Sequence, residues 1–240
     1  MAIWHRHAWL AYLAVLVGVF GHASTEFFAV LSGIAGPELS VWRFMLGGFG
    51  LIFLALLMPA SRDLLAPFKS HFWSLIILSF LGVTVGYLVF HWSLDFASVP
   101  QVATTVTTIP IFVAIANLLI NRQPISLAKM IGGICAVGGI ALLITDGYLA
   151  RLAGSGSNLL GIFLAMGCAA AVALYSVLAR PIVAEYGALR ITAITMMLGG
   201  IGLWVLVGVV FGVWAMPERL AQLPSSSLGY LLIIAFWNTD

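Results

Sequence analysis

The string MLGGFGL occupies positions 45–51 inside an apolar run over 38–58, and MLGGIGL at positions 197–203 repeats six of its seven residues 152 positions later. A helix needs about 20 apolar residues to cross the hydrocarbon core of a bilayer, and both strings lie in runs of that length. Glycines in such helices allow two backbones to approach closely, so glycine-rich strings also recur for packing reasons alone. The two strings predict a pair of equivalent membrane helices.

The composition supports a membrane protein. Of the 240 residues, 62% are hydrophobic and 8% are charged, and the mean hydropathy is +1.14. Soluble domains have roughly 45–50% apolar and about 25% charged residues, so much of this apolar surface must face lipid. The net charge of +2 is too small to favour a nucleic-acid partner.

The apolar runs predict seven complete membrane spans and a partial eighth. The predicted spans are 8–31, 38–58, 72–94, 99–120, 127–145, 159–180 and 189–214, with an eighth beginning near Leu228. Short connections with proline or glycine separate them, as expected between helices. We therefore predict an all-α polytopic membrane protein.

The position of the repeated string predicts an internal symmetry. It lies in the second span and again in the seventh, which is the second span of the next five-span unit. Five is odd, so the second unit would enter the membrane from the opposite side, as in many secondary transporters. The predicted units are a five-helix repeat over 1–145, a linker over 146–158 and an incomplete second repeat over 159–240.

Basic residues in the connections predict the orientation. With a cytoplasmic N-terminus, seven lie on the cytoplasmic side and two on the opposite side. The seven are Arg6, Arg62, Lys69, Arg122, Lys129, Arg180 and Arg190, and the two are Arg151 and Arg219. An excess of Lys and Arg marks cytoplasmic loops, so we expect a cytoplasmic N-terminus. We also expect the membrane to be the plasma (inner) membrane.

Polar residues inside the spans recur at helical spacing, which places them on single helix faces. They are His22 and Glu26 in the first span, Arg43 in the second, Thr84, Tyr87, His91 and Asp95 in or beside the third, and Gln101, Thr104, Thr105 and Thr108 in the fourth. Ionisable residues in a membrane are costly and mark candidate functional sites. We expect these stripes to converge on a substrate-binding vestibule in the half of the bilayer away from the cytoplasm.

Other interpretations of these polar residues remain open. Glu26 and Arg43 have similar predicted depths and can form a purely structural ion pair. The threonines can donate hydrogen bonds to their own helix or to a neighbouring one. The histidines can be neutral and fully hydrogen-bonded.

Four groups of residues resemble one transporter family. They are PELSVWRF at 37–44; the segment 82–94 with Ala97, Ser98 and Pro110; QPIS at 123–126 with the glycine pairs at 132–133 and 138–139; and ALYSVL at 173–178. In order and spacing they resemble the EamA-like group of the drug/metabolite transporter superfamily. The resemblance adds Tyr175 to the predicted substrate-binding residues. Gln123 stands where family members usually carry glutamate. The family's ten-helix pattern breaks off here in the eighth helix, so we expect either a fragment of a longer protein or a C-terminally truncated product.

The resemblance implies a secondary transporter that exports a small amino-acid-like or drug-like metabolite by alternating access. Proton coupling through Glu26, His22 or Asp95 is an open alternative. No cofactor or metal is expected, and no nucleotide-binding glycine-rich loop is present in the sequence. The competing functions are a truncated or non-transporting membrane subunit and an intramembrane enzyme, although the sequence lacks the usual metalloprotease and serine-hydrolase motifs.

Overall fold

The computed structural model describes residues 8–144 and 156–236, and helices account for nearly all of them, with no strand in these two ranges. The helices are α1 (Ala8–Ala23), α2 (Thr25–Ser32), α3 (Gly36–Leu57), α4 (Ala66–Leu78), a π-helical segment (Ser79–Val85), α5 (Gly86–Ser93), α6 (Val99–Val106), α7 (Ile109–Asn121), α8 (Leu127–Ile144), α9 (Gly156–Tyr186), α10 (Ala188–Phe211), α11 (Pro217–Gln222) and α12 (Ser225–Phe236). The predicted all-α polytopic architecture is confirmed.

Within the described ranges, five helical stretches are long and apolar enough to cross a membrane. They are Gly36–Leu57, Ala66–Ser93, Val99–Asn121, Leu159–Tyr186 and Ala188–Phe211, and Leu127–Gly139 and Ser225–Phe236 are shorter apolar helices. Large apolar side chains cover the outside, among them Leu119 at 75% exposure and Trp73 at 73%. Exposing an apolar surface of this size costs free energy in water but not in lipid.

Several predicted spans are not the uninterrupted helices that the apolar runs suggested. The run over 8–31 is interrupted at Ser24, whose hydroxyl donates to the carbonyl of Gly21 at 2.8 Å. The run over 99–120 is interrupted at Thr107 and Thr108, just before Pro110. Proline lacks an N–H donor and its ring clashes with the carbonyl four residues earlier, which explains the second break.

The bounds of two other predicted spans also change. The third begins earlier, at Ala66, and contains the π-helical segment Ser79–Val85. The sixth extends beyond both predicted ends to Gly156–Tyr186 and keeps Pro181 inside the helix. The predicted linker over 146–158 lies mostly outside the described residues.

The helices α3 and α10 cross through the two repeated glycine strings. A Cβ added at Gly48 would lie 3.1 Å from the Cα of Met197, and one added at Gly200 would lie 3.1 Å from the carbonyl carbon of Phe44. Because Gly200 follows Gly48 by 152 positions and Met196 follows Phe44 by the same number, the contacts are reciprocal. Each glycine string packs against the first residue of the other string and the residue just before it.

The contacts at the ends of α3 and α10 show that these helices run antiparallel. Arg190, in the first turn of α10, donates to the carbonyl of Ala60, just after α3. At the other end, Arg219 of α11 pairs with Glu38 in the first turn of α3. The reciprocal contacts between two antiparallel helices correspond to a local twofold axis that runs across them.

Glu38 and Arg219 form a bidentate ion pair. The Nε and Nη2 of Arg219 each donate to a different carboxylate oxygen of Glu38 at 2.9 Å, and the indole of Trp42 donates to the same carboxylate at 3.3 Å. Hydrogen bonding and the charge of Glu38 raise the pKa of Arg219 above its ordinary value. Bidentate pairs of this kind fix the relative orientation of the two side chains more strictly than a single hydrogen bond does.

We expect Glu38→Gln and Arg219→Gln each to lower the thermal midpoint of the detergent-solubilised protein by a similar, small amount. The double variant should be no less stable than the less stable single variant, because the pair is already broken in each single variant. The differences should shrink in high salt, which screens exposed charges. Arg62→Gln, at an exposed arginine, serves as the control. Strictly additive losses in the double variant would contradict the pairing.

Candidate functional site

Four polar side chains meet where α3 faces α5, in the interior of the helix bundle. Ser40 and Arg43 lie three residues apart on α3, and Tyr87 and His91 lie four apart on α5, spacings that put each pair on one helix face. Ser40 and His91 are 0% exposed and Arg43 is 2% exposed. A buried cation of this kind is rare unless hydrogen-bonded and neutralised by its surroundings.

The imidazole of His91 joins the two α3 side chains. Its Nε2 lies 3.3 Å from Nη1 of Arg43, and its Nδ1 lies 2.8 Å from the hydroxyl of Ser40 and 3.1 Å from the carbonyl of Tyr87. Arg43 can only donate, so Nε2 must accept and Nδ1 must carry the ring proton. This geometry therefore requires a neutral imidazole.

The hydroxyl of Ser40 completes the hydrogen bonding of His91. It accepts from Nδ1 of His91 and donates to the carbonyl of Gly36 at 3.0 Å or to that of Tyr87 at 3.1 Å. A hydroxyl has one donor and two acceptor positions, so both roles can be filled at once. Ser40 thereby fixes the tautomer of the histidine that faces Arg43.

Aromatic rings surround the guanidinium group of Arg43. Its central carbon lies 5.2 Å from the ring centre of Phe44 and 5.4 Å from that of Tyr87, and these two rings lie 4.4 Å apart. Phe90 packs edge-on against His91 with ring centres 5.0 Å apart. Cations are attracted to the faces of aromatic rings, so these contacts help to hold the guanidinium in an apolar environment.

A cavity of about 170 Å³ lies beside this cluster and reaches Asp95. Residues of α2, α3 and α5 line it, including Ala29, Gly36 and His91. The N–H of Gly36 donates to Oδ1 of Asp95 at 3.3 Å. Partial burial raises the pKa of the Asp95 carboxyl, and the hydrogen bond from Gly36 opposes that shift. The volume is sufficient for a few water molecules.

Gly36 is required by the close approach of α3 to α5. A Cβ at this position would overlap the carbonyl of His91. The glycine therefore lets the start of α3 contact the backbone of α5, which brings Ser40 within reach of His91.

Thr84 and Tyr175 lie at contacts other than the Arg43–His91 cluster. The hydroxyl of Thr84 donates to the carbonyl of Gly199 on α10 at 3.0 Å. The ring of Tyr175 packs on Gly82, and its hydroxyl lies 3.0 Å from that of Thr195. Thr84 thus joins the π-helical segment to α10. Tyr175, on α9, packs against the same segment and joins α9 to α10.

The polar stripe of α6 makes local hydrogen bonds. Thr104 donates to Pro100 at 2.7 Å, Thr105 to Gln101 at 2.7 Å, and Thr108 to Thr105 at 2.6 Å. The side chain of Gln101 accepts from the N–H of Ser98 at 3.0 Å, as part of a capping box. These bonds satisfy the hydroxyls within their own helix, the alternative that the sequence had left open.

The side chains of His22 and Glu26 lie outside the described part of the structure, so the Glu26–Arg43 pair stays a prediction. Among the described residues, no group of three or more His, Cys, Asp or Glu side chains could hold a metal ion.

Sequence reasoning missed three residues that shape the cluster. Phe44, Phe90 and Gly36 were not among the predicted site residues, because apolar residues and glycines are common in every span. A usable signal was the spacing of Phe44 four residues after Ser40, which puts an aromatic ring on the same face as the polar stripe.

Comparison with known proteins identifies the family of this chain. The sequence profile described as the EamA-like transporter family matches residues 9–145, which is more than half of the chain. The chain belongs to the EamA-like transporter family. The matched residues include all four members of the Ser40–Arg43–Tyr87–His91 cluster.

Two further similarities agree with the EamA-like assignment. An uncharacterized transporter from Archaeoglobus fulgidus is 26% identical over 127 residues, which cover 53% of this chain and 43% of that relative. The match thus spans less than half of the relative's length. A protein crystal structure with 16% identity superposes with a TM-score of 0.63 over 94% of this chain and 76% of that one, which shows a shared fold. The family match and the long apolar helices support a multi-pass membrane protein of the EamA-like transporter family.

Proposed function

We propose that this EamA-like protein is a secondary transporter that exports a small amino-acid-like or drug-like solute by alternating access. The observation that carries the proposal is the buried Ser40–His91–Arg43 network beside a cavity that reaches Asp95. Charged and polar groups at such depth are expensive unless they serve a pathway. The site offers a cation, an imidazole, a hydroxyl and aromatic rings, which together suit an amphipathic solute.

The packing of α3 on α10 supports alternating access. Their reciprocal glycine contacts are those expected if the units 1–145 and 159–240 are inverted repeats. Inverted repeats allow one unit to rock against the other about a central site. The first unit supplies α3 and α5 to the site, and the second supplies α10 as the surface on which the first would move.

Proton coupling can use the same hydrogen bonds. A proton added to His91 would go to Nε2, because Nδ1 already carries one, and would then face the N–H groups of Arg43. Two donors and two positive charges in contact would separate. Asp95, at the cavity's exposed side, is the proposed entry point for that proton.

The positions of the basic residues support the proposed orientation. Arg190 contacts Ala60 at one end of the bundle, and Arg219 contacts Glu38 at the other. The first end also carries Arg62, in the connection after α3, and Lys69, in the first turn of α4. We therefore propose that this end faces the cytoplasm and that the protein lies in the plasma (inner) membrane.

Solute flux in vesicles reconstituted with the 240-residue chain tests the proposal. The probes are a radiolabelled amino-acid panel and the cationic dye ethidium, each measured with and without a pH gradient. We expect flux of at least one probe above empty vesicles, and a loss of about tenfold or more in Arg43→Gln, because a hydrogen bond to a charged group contributes about 1.5–3 kcal/mol.

The control variant is Ser176→Ala, at an exposed serine whose hydroxyl donates to the carbonyl of Val172 in its own helix at 2.8 Å. It should transport like the unmodified chain. Absence of flux for every probe, in vesicles where the chain is inserted and folded, would contradict transport and favour a non-transporting membrane subunit. Equal flux in Arg43→Gln would remove the network from the proposed pathway.

A further inference from the structure

A long apolar groove runs between α7 and α8, away from the Arg43–His91 cluster. Its volume is about 990 Å³, and its walls include Ile111, Ile115 and Asn117 of α7 and Lys129, Gly133 and Val137 of α8. Nearly all of the lining is apolar, and α8 is exposed over most of its length. An apolar groove on the outside of a membrane protein is filled by lipid rather than by water.

The length of the groove matches one leaflet of a bilayer. It follows α7 from Ile109 to Asn117 and α8 from Lys129 to Val137, about 12 Å along each helix. One leaflet contributes roughly 15 Å of hydrocarbon to the core. The far end lies at the break between α6 and α7, so the groove ends near the middle of the membrane.

The charges at the mouth of the groove indicate which lipid fits. Lys129 lines the mouth, Arg122 lies in the short connection between α7 and α8, and both are exposed. The sequence from 109 to 137 contains no Asp or Glu. Basic pockets between membrane helices bind anionic headgroups, whose phosphates accept hydrogen bonds from Lys and Arg.

Glycines leave room for the acyl chain on α8. A Cβ added at Gly132 would meet no atom within 4 Å, and one added at Gly133 would only touch the side chain of Ile111 at 3.7 Å. At Gly48 and Gly200, by contrast, an added Cβ would lie 3.1 Å from backbone atoms of the neighbouring helix. The absence of side chains here widens the groove instead of tightening a packed interface.

We infer that the α7–α8 groove binds one anionic glycerophospholipid from the leaflet on the Lys129 side. The acyl chain lies along Ile111, Ile115 and Val137, and the headgroup phosphate lies at Lys129 and Arg122. This inference does not depend on transport, because it concerns the outer face of the bundle. Zwitterionic lipids can fill the same groove, but their headgroups carry no net charge to pair with these residues.

Native mass spectrometry of the full chain in detergent tests the inference. The probes are phosphatidylglycerol and phosphatidylcholine with identical acyl chains, titrated separately. We expect the first lipid adduct to form more tightly with phosphatidylglycerol, by about fivefold for each basic residue at the mouth. Lys129→Gln should lower that preference about fivefold, and Arg122→Gln combined with Lys129→Gln should abolish it.

Lys69 is the matched control, because it is the other lysine of this sequence and is also exposed. Lys69→Gln should keep the full preference. Ala136→Trp, which fills the groove, should weaken the first adduct of both lipids, and Ala114→Trp does the same from α7 if the α8 variant does not fold. Equal affinity for the two lipids, an equal loss in Lys69→Gln, or unchanged adducts in a folded groove-filling variant would each overturn the inference.

Discussion

His91→Ala is expected to lower solute flux by about tenfold or more while membrane insertion stays normal. The substitution removes the acceptor for Arg43, 3.3 Å away, and the donor for Ser40, 2.8 Å away. A hydrogen bond to a charged group contributes about 1.5–3 kcal/mol, which corresponds to roughly 10- to 150-fold. The measurement is flux per inserted molecule in reconstituted vesicles, with the thermal midpoint recorded beside it.

Two amide substitutions separate the roles of the two ring nitrogens of His91. The amide of Gln reaches the position of Nε2 and can accept from Arg43, whereas the amide of Asn reaches the position of Nδ1 and can bond to Ser40. We expect His91→Gln to retain more flux than His91→Asn, because the contact with the charged group contributes more. Neither amide titrates, so both variants should lose the dependence of flux on a pH gradient.

His71→Ala is the control for these variants. His71 is a partly exposed histidine at the other end of the same apolar stretch, 4.0 Å from Glu185. Its removal should leave both flux and gradient dependence unchanged. If His91→Ala is folded and transports normally, His91 has no part in the proposed site. If His91→Asn exceeds His91→Gln, the Arg43 contact is not the important one.

The sequence predicted the faces of α3 and α5 because both are regular α-helices around the cluster. Arg43, Tyr87 and His91 were expected on inward-facing stripes, and the structure brings them together with Ser40. The spacing of three and four residues is reliable where 3.6 residues make a turn. Their role in binding a substrate stays a prediction.

Thr84 shows how a change of helix type alters the contact that residue spacing predicts, although its role in substrate binding stays a prediction. It was grouped with Tyr87 and His91 by α-helical spacing, but Ser79–Val85 is π-helical. Hydrogen bonds from residue i to i+5 widen the turn and shift the register of the side chains. Thr84 therefore faces the carbonyl of Gly199 on α10. No residue in this apolar stretch marks the change, because π-helical turns depend on tertiary packing.

The break before Pro110 likewise changes the helix from which the polar stripe of the fourth span was predicted, and the vestibule itself stays a prediction. The prediction from residue spacing took 99–120 as one continuous helix. In the structure, α6 ends at Val106 and α7 begins at Ile109. The threonines next to the break use their hydroxyls for carbonyls of their own helix. Proline was visible in the sequence, but whether it kinks or interrupts a helix depends on the helices around it.

The repeat at 45–51 and 197–203 predicted equivalent helices but not their contact. Two helices related by an internal symmetry contact each other only if both lie close to the symmetry axis. Their equivalence alone therefore does not predict a contact between them. The structure places both strings at one crossing. Glycine content alone was compatible with contact to any neighbouring helix, so the partner had to come from the structure.

Gly200→Leu is expected to destabilise the protein severely, together with its symmetry counterpart Gly48→Leu. A Cβ at Gly200 would already lie 3.1 Å from backbone atoms of Phe44, and three more carbon atoms have no space at that crossing. Overpacking in a close-packed interior costs about 1–3 kcal/mol and occasionally more, and backbone atoms yield less readily than side chains. The measurement is the thermal midpoint and the monodisperse yield in detergent.

The comparison of the two variants tests the reciprocal packing of α3 and α10. Gly48 would place its Cβ 3.1 Å from the Cα of Met197, so the two leucine variants should lose similar amounts of stability. Gly229→Leu on α12 is the control, since nothing lies within 4 Å of its Cβ position and helix propensity favours leucine over glycine. A large loss at only one of Gly48 and Gly200 would contradict the local twofold arrangement. Matching losses at both positions, with none at Gly229, would identify the α3–α10 crossing as a contact that the two units share. Any rocking of one unit against the other would then have to take place about this contact.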